Sequence, residues 1–216
     1  MLENMRQFFE NRLDGYDAHM KSNIQGAEEF YPFTAQQLPV AENCRILDLG
    51  CGTGLELESY FPRNPSAHVT GIDLSPKMLS ALEAKFPGRD LKLLAGSYFQ
   101  LPLGEGVYDA AVSVESLHHF TKEEKIPLYK KLRKALKPEG YFILTDYFSL
   151  SDGEELAHRE DFLARKAAEG ISDGELYHYD TPLTAAHETE ALLEAGFSKV
   201  EVLARWGATF TLRATK

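Results

Sequence analysis

Cysteine is nearly absent from this chain of 216 residues, with only Cys44 and Cys51 present. Two thiols so placed, one of them inside a glycine-rich turn, make neither a disulfide framework nor a metal-binding spacing. They read as small buried thiols in a reducing, cytoplasmic compartment. Long apolar runs are missing too. Nothing approaches the roughly 20 residues that cross a bilayer, and the amphipathic N-terminus MLENMRQFFENRLDGYD has no signal-type apolar core. Basic residues are in deficit: 23 Lys and Arg stand against 33 Asp and Glu, a net charge of −10. With no basic block in the chain, a nucleic-acid partner is disfavoured. Internal repeats and low-complexity segments are absent as well. What remains is the composition of an ordinary globular protein, 44% hydrophobic and 26% charged, long enough for one full core and short for two.

The rest of the chain is organised around Ile46-Leu47-Asp48-Leu49-Gly50-Cys51-Gly52-Thr53-Gly54. An apolar strand runs into a turn with three alternate glycines, and Leu55 to Phe61 continue as a helix. Glycine tolerates positive φ and has no Cβ, so the backbone can fold tightly and approach a ligand closely. A strand, a glycine-rich turn and a helix N-terminus make a nucleotide-type site at the carboxyl edge of a parallel sheet. Charge narrows the ligand. A dinucleotide site wants G-x-G-x-x-G, whereas Leu55 stands where that pattern would be completed. Asp48, Glu56 and Glu58 make the loop acidic, and no Lys or Arg lies between Arg45 and Arg63. Such a loop repels a pyrophosphate and suits a cationic ligand. S-adenosylmethionine carries an ammonium, a sulfonium and no phosphate.

Nineteen residues after Gly54 comes Asp73, in Val69-Thr70-Gly71-Ile72-Asp73-Leu74-Ser75-Pro76. It is an acid at the end of a second short strand, at the spacing where a carboxylate takes a ribose diol. Together, Ile46–Gly54 and the GIDLSPKML segment from Gly71 to Leu79 resemble the class I S-adenosylmethionine-dependent methyltransferases. The resemblance implies that Asp48, Gly50, Cys51, Gly52, Gly54, Asp73, Leu74 and Met78 surround S-adenosylmethionine, with S-adenosylhomocysteine as the product.

From Ile46 onward strand and helix patterns alternate. Strands are expected at 46–49, 68–72, 91–95, 108–114 and 140–146, with helices at 55–61, 76–86, 121–136 and 153–169. This rhythm predicts an α/β, Rossmann-like sheet, mostly parallel, with helices on both faces. Ser75-Pro76 reads as a helix start, and Lys137-Pro138-Glu139-Gly140 as a stop and turn. Two β-type runs, Phe197–Leu203 and Thr209–Arg213, meet at Trp206-Gly207-Ala208, a hairpin signal. The family resemblance implies seven strands with the last antiparallel. The whole reads as one domain over 1–216: an N-terminal helical cap (1–40), a cofactor-binding core (41–147), a helical substrate lid (148–188), and a helix end with a β-hairpin (189–216). In the cap, Phe8, Phe9 and Leu13 sit at helical spacing, Gly15 breaks the pattern, and Tyr16 to Phe30 form a second helix ending near Tyr31-Pro32.

Several further segments bear on the site. Tyr16-Asp17 resembles an aromatic–acid pair that several relatives carry before the first strand, so Tyr16 either contacts the cofactor or packs the helix onto the sheet. After the third strand the family usually has Gly-Asp, with the acid reaching the adenine amino group. Here Ser97 holds that position, beside Tyr98; a serine hydroxyl still hydrogen-bonds a base, without the charge. The segment from Tyr108 to Phe120 looks like the fourth strand and its turn, which puts Val114, Glu115, His118 and His119 near the chemistry. Adjacent histidines point in different directions, so no metal is expected, and of the two His119 is favoured for the site. L-x-x-x-L-K-P-x-G from Leu132 to Gly140 completes the match, and Asp146 and Tyr147 end the fifth strand on the substrate side. In the lid, Tyr177-His178-Tyr179-Asp180 places aromatic and ionisable groups in a loop.

The expected activity is methyl transfer to a small-molecule acceptor by a monomer or homodimer with no membrane partner. The methyl sulfonium is itself the electrophile, so alignment and water exclusion are the main demands. No catalytic residue stands out; if a proton must be removed, His119, Glu115 and Tyr147 are the candidates, with His119, Tyr147 and His178 facing the substrate. An alternative is a carboxy-S-adenosylmethionine-type tRNA-modification relative. That family carries an arginine near the position of Ala191, where this chain has none. A non-catalytic cofactor-binding module is another alternative, and an NAD-type oxidoreductase a third.

Overall fold

The computed structural model describes residues 2–171 and 175–216. The central sheet is built from β2 (Arg45–Leu49), β3 (His68–Asp73), β4 (Asp90–Ala95), β5 (Tyr108–Val114), β6 (Leu136–Tyr147), β8 (Lys199–Trp206) and β9 (Thr209–Thr215). Their order is β4-β3-β2-β5-β6-β9-β8, parallel through β6; β9 pairs antiparallel with both β6 and β8 and alone runs against the rest. Side chains alternate across a strand, so Leu47 and Leu49 join one core and Ile46 the other. Against the first core pack α6 (Lys122–Ala135) and α8 (Ala185–Glu194), through Leu128, Leu132, Ala191 and Leu192. Against the second pack α3 (Ala27–Gln37), the short α4 (Leu57–Tyr60) and α5 (Pro76–Lys85). Covering both faces is what makes the inner strands continuously apolar.

The topology positions the site. From β2 the chain winds outward through β3 and β4, then returns to β5 on the other side of β2. At such a reversal the loops leaving two adjacent strands part and open a crevice at their carboxyl ends. The loop 50–54 after β2 and the 3-10 turn Leu117–His119 after β5 therefore face each other across it.

The N-terminal cap departs from expectation. Helices α1 (Met5–Arg12) and α2 (Tyr16–Asn23) precede α3, and the left-handed Gly26 (φ 81°) breaks the second predicted helix into two. Nor does the chain leave the helix at Pro32, which lies inside α3. The lost N–H is offset by burial of Phe30, Tyr31, Thr34 and Ala35, and the helix runs on to Gln37. Lys137–Gly140 does not separate helix from strand either. It bulges within β6, where pairing jumps from Tyr108 with Leu136 to Ala110 with Tyr141. The segment expected to be a lid, 148–188, contains α7 (Asp152–Glu169); its residues 172–174 lie outside those described. One feature had no sequence signal: β1 (Glu3–Asn4) pairs antiparallel with β7 (Tyr177–His178), tying the N-terminus to the lid.

Candidate active site

The glycine turn is held by the neighbouring strand. Gly50 and Cys51 N–H groups donate to the Ile72 carbonyl, at 2.8 and 3.2 Å. Gly50, Gly52 and Gly54 all have positive φ. A Cβ on Gly50 would lie 2.0 Å from Ser116 Oγ, so the loops after β2 and β5 touch there with no room to spare. Asp73, at the end of β3, accepts from Gly52 N–H at 3.0 Å and from Ser75 N–H at 2.8 Å. Burial pushes its carboxyl up, against those two donors. Beneath the turn, burial also raises Asp48 and Glu56. The Glu56 charge beside it raises Asp48 further.

Around this turn lies a narrow cleft lined by Tyr16, Gly50, Gly52, Asp73, Leu74, Met78, Tyr98, Glu115 and His119, all predicted from the sequence, together with Met5, Phe9 and Ser116. Its free volume is about 40 Å³. The other predicted cofactor residues stand behind it. Asp48 is buried under the loop, Cys51 Sγ packs against Gly71, and Gly54 sits against Phe86 and Leu82. Val114 is buried at the end of β5, and the Ser97 hydroxyl accepts from Phe99 N–H at 3.2 Å. Tyr98, not Ser97, is the residue of that pair that reaches the cleft, where its hydroxyl meets Ser116 Oγ at 3.2 Å.

Beside the cleft, and sharing Phe9, Tyr16, Glu115 and His119 with it, opens a cavity of about 860 Å³. Phe8, Met20, Ile24 and Trp206 give it apolar walls, while His118, Tyr147, His178 and Asp180 add polar groups. Chain reversal again does the positioning. Glu115 leaves β5 in the left-handed region (φ 49°), which non-glycine residues adopt at a cost and which recurs at functional sites.

The two histidines correct the sequence reading. They do not diverge: their rings lie 4.0 Å apart and both approach Asp180 Oδ1, His118 through Nε2 at 3.6 Å and His119 through Nδ1 at 3.0 Å. Both are buried, at 8% and 6% exposure, and both line the cavity. His119 Nδ1 also meets the Tyr179 carbonyl at 3.2 Å, while His118 Nδ1 donates to Asp146 Oδ1 at 2.5 Å. Asp146 is fixed in turn by Leu117 and Tyr147 N–H groups, at 2.8 and 2.9 Å.

Their electrostatics differ sharply. Burial opposes charge on His118, but the adjoining Asp146 overcomes it and lifts the imidazole to about 9. Burial and the His118 charge push His119 down, so it stays neutral. His178, stacked on Phe8, is lowered to about 4 by burial and by His119. Burial and the Asp146 charge raise Glu115 to about 8. For Asp180, burial is outweighed by the contact with His119 and the charge of His118, which hold its carboxyl far below the usual range. Burial raises the Tyr147 hydroxyl. Asp180, Phe8 and Trp206 were missed as site residues; the signal for Asp180 was its place in the aromatic, ionisable run 177–180.

A methyltransferase-domain family model matches residues 46–140. The chain is 33% identical over 202 residues to a carboxy-S-adenosyl-L-methionine synthase of Wolinella succinogenes, covering 85% of this chain and 80% of that protein. It is 31% identical over 124 residues to an uncharacterized methyltransferase of Synechocystis sp., spanning 57% of each. Human N-acetylserotonin methyltransferase, solved in complex with S-adenosylmethionine, shares the fold with a TM-score of 0.67 at 16% identity, over 96% of this chain and 56% of that one. The sheet order, the glycine turn after β2, the acid ending β3 and these likenesses converge, and the chain belongs to the class I S-adenosylmethionine-dependent methyltransferases.

Proposed function

We propose that the protein transfers a methyl group from S-adenosylmethionine to a small-molecule acceptor held in the 860 Å³ cavity. The observation that carries this reading is the shared wall. Phe9, Tyr16, Glu115 and His119 face both the cleft at the glycine turn and the larger cavity, so two ligands would meet there. The donor set fits the cofactor. Asp73 is a half-buried acceptor at the ribose position, and the turn lacks cations, which suits a ligand carrying an ammonium and a sulfonium. Tyr98, Leu74 and Met78 would bound the adenosine portion. Ligand pockets usually run to roughly 300–1,000 Å³, far above the 40 Å³ left in the cleft. Met5, Phe9 and Tyr16, all from the N-terminal cap, fill the remainder, so cofactor entry goes with displacement of the cap.

When bound, the sulfonium supplies an activated methyl group. The chain's own residues then orient and desolvate. Phe8, Phe9 and Trp206 take the apolar body of the acceptor, and the His118, His119 and Asp180 cluster at the polar end takes its nucleophilic atom and any proton it releases. Cys44 and Cys51, both free and buried, suit a reducing cytoplasm. Among the described residues no helix is long and apolar enough to cross a membrane.

Release of labelled methyl from the cofactor into an extractable product, tested over a panel of aromatic alcohols, phenols and amines, checks the reading. Transfer to one of them supports it; cofactor binding without transfer to any acceptor or to water favours the non-catalytic module. A second reading, carboxy-S-adenosylmethionine chemistry, rests on the 33% relative. That family's arginine falls near the position of Ala191, which is buried in α8. The cavity's own arginine, Arg12, is engaged by the Phe8 carbonyl and Glu3.

A further inference from the structure

We propose that His118, His119 and Asp180 form a binding site for a divalent transition-metal ion at the floor of the acceptor cavity. Two imidazoles and one carboxylate present nitrogen and oxygen donors within 4.8 Å of one another. His119 Nδ1 and Asp180 Oδ1 are 3.0 Å apart, and His118 Nε2 and Asp180 Oδ1 3.6 Å. Ligand atoms held about 2.0–2.2 Å from one ion are separated by about 2.8–3.6 Å in octahedral or tetrahedral arrangements. These two edges fall within that range.

A further observation points to an ion. Asp180 Oδ1 is buried and accepts no well-formed hydrogen bond, although two imidazoles flank it. The support behind the site matches what metal-bound histidines use. Asp146 takes the His118 Nδ1 hydrogen, which leaves Nε2 as the ligand and fixes the ring, and two backbone N–H groups fix Asp146. Two histidines and one carboxylate on one side of an open cavity suit zinc or iron(II), with coordination positions left for a ligand from the cavity. The ion would hold an acceptor oxygen beside Glu115. That use rests on the methyl-transfer reading; the binding does not.

Chelator-treated protein titrated with Co²⁺ tests the site by its visible absorption bands, with S-adenosylmethionine affinity measured on the same samples. The expected result is one Co²⁺ per chain, displaced by Zn²⁺. Affinity should fall at least about tenfold in Asp180→Asn and His119→Ala, and about 10–100-fold in Asp146→Asn. Asp180 has a side chain 42% exposed, so its variant tests the site without a core change. Absence of saturable Co²⁺ binding, or affinity unchanged in both Asp180→Asn and His119→Ala, would overturn the proposal. If the cofactor still binds in that case, the metal site falls and the methyltransferase reading stands.

Discussion

Gly50→Ala probes the contact on which the crevice depends. At φ +74° any side chain incurs the left-handed penalty, about 1–2 kcal/mol. The added methyl carbon would also stand 2.0 Å from Ser116 Oγ and 2.6 Å from Ser116 Cβ. The hydroxyl could rotate away only by giving up Tyr98, and the Cβ cannot move without the backbone of the β5 loop. Overpacking of this kind costs a further 1–3 kcal/mol or so. The sum, about 2–5 kcal/mol, corresponds to a drop of roughly 4–20 °C in Tm for a domain of this size. Denaturant titration of Gly50→Ala, Ser116→Gly and the double variant separates the two parts. In the Ser116→Gly background the alanine should cost only the backbone portion, giving a coupling of about 1–3 kcal/mol. A single variant within about 0.5 kcal/mol of wild type, or additive variants, would refute the close approach of the two loops.

Asp48 and Glu56 give the stability a pH dependence. Their raised carboxyls bind more protons in the folded state than in the unfolded chain, so stability falls as pH rises above the ordinary carboxylate range. Relative to Asp48→Asn, the wild type should gain stability between about pH 7 and about pH 5, by no more than ~1.4 kcal/mol per pH unit for each extra proton; parallel pH dependences of stability would contradict the raised Asp48 carboxyl. Lys125 is buried against Glu188 at 2.6 Å, with Tyr129 on the same carboxylate. Lys125→Met should destabilise by about 3–5 kcal/mol, and Lys125→Met with Glu188→Gln should recover most of it; equal losses would deny an uncompensated charge. His119→Ala should lower turnover by about 100-fold or more while cofactor affinity changes far less. Unchanged turnover removes His119 from the chemistry.

The proposed cofactor half of the site was legible because it is local. Gly50 to Gly54 and Asp73 sit where strands end, and the spacing that marks them needs no knowledge of distant contacts. The mostly parallel sheet followed from the alternation of elements, and the C-terminal hairpin from two β-type runs around Gly207. The acceptor half was not legible, because it is assembled from far apart in the chain. Asp180 reaches His118 and His119 across about sixty residues, carried there by the lid, and Phe8 meets His178 through the two-residue pairing of β1 with β7. Adjacent histidines diverge on a regular strand or helix; on the 3-10 turn Leu117–His119 both face one carboxylate. Tertiary burial likewise overrode the local stop signal at Pro32.

Calorimetric titration with S-adenosylmethionine, S-adenosylhomocysteine and NAD, for wild type and Asp73→Ala, bears most directly on the cleft between the glycine turn and Asp73. The first two ligands should bind at micromolar concentration and NAD should not. Asp73→Ala should weaken binding by about 1–3 kcal/mol, as for a lost hydrogen bond to a charged group. Failure of folded, ligand-free protein to bind either sulfonium cofactor or its product, or affinity unaltered by Asp73→Ala, would contradict the placement of the cofactor at Gly50–Gly54.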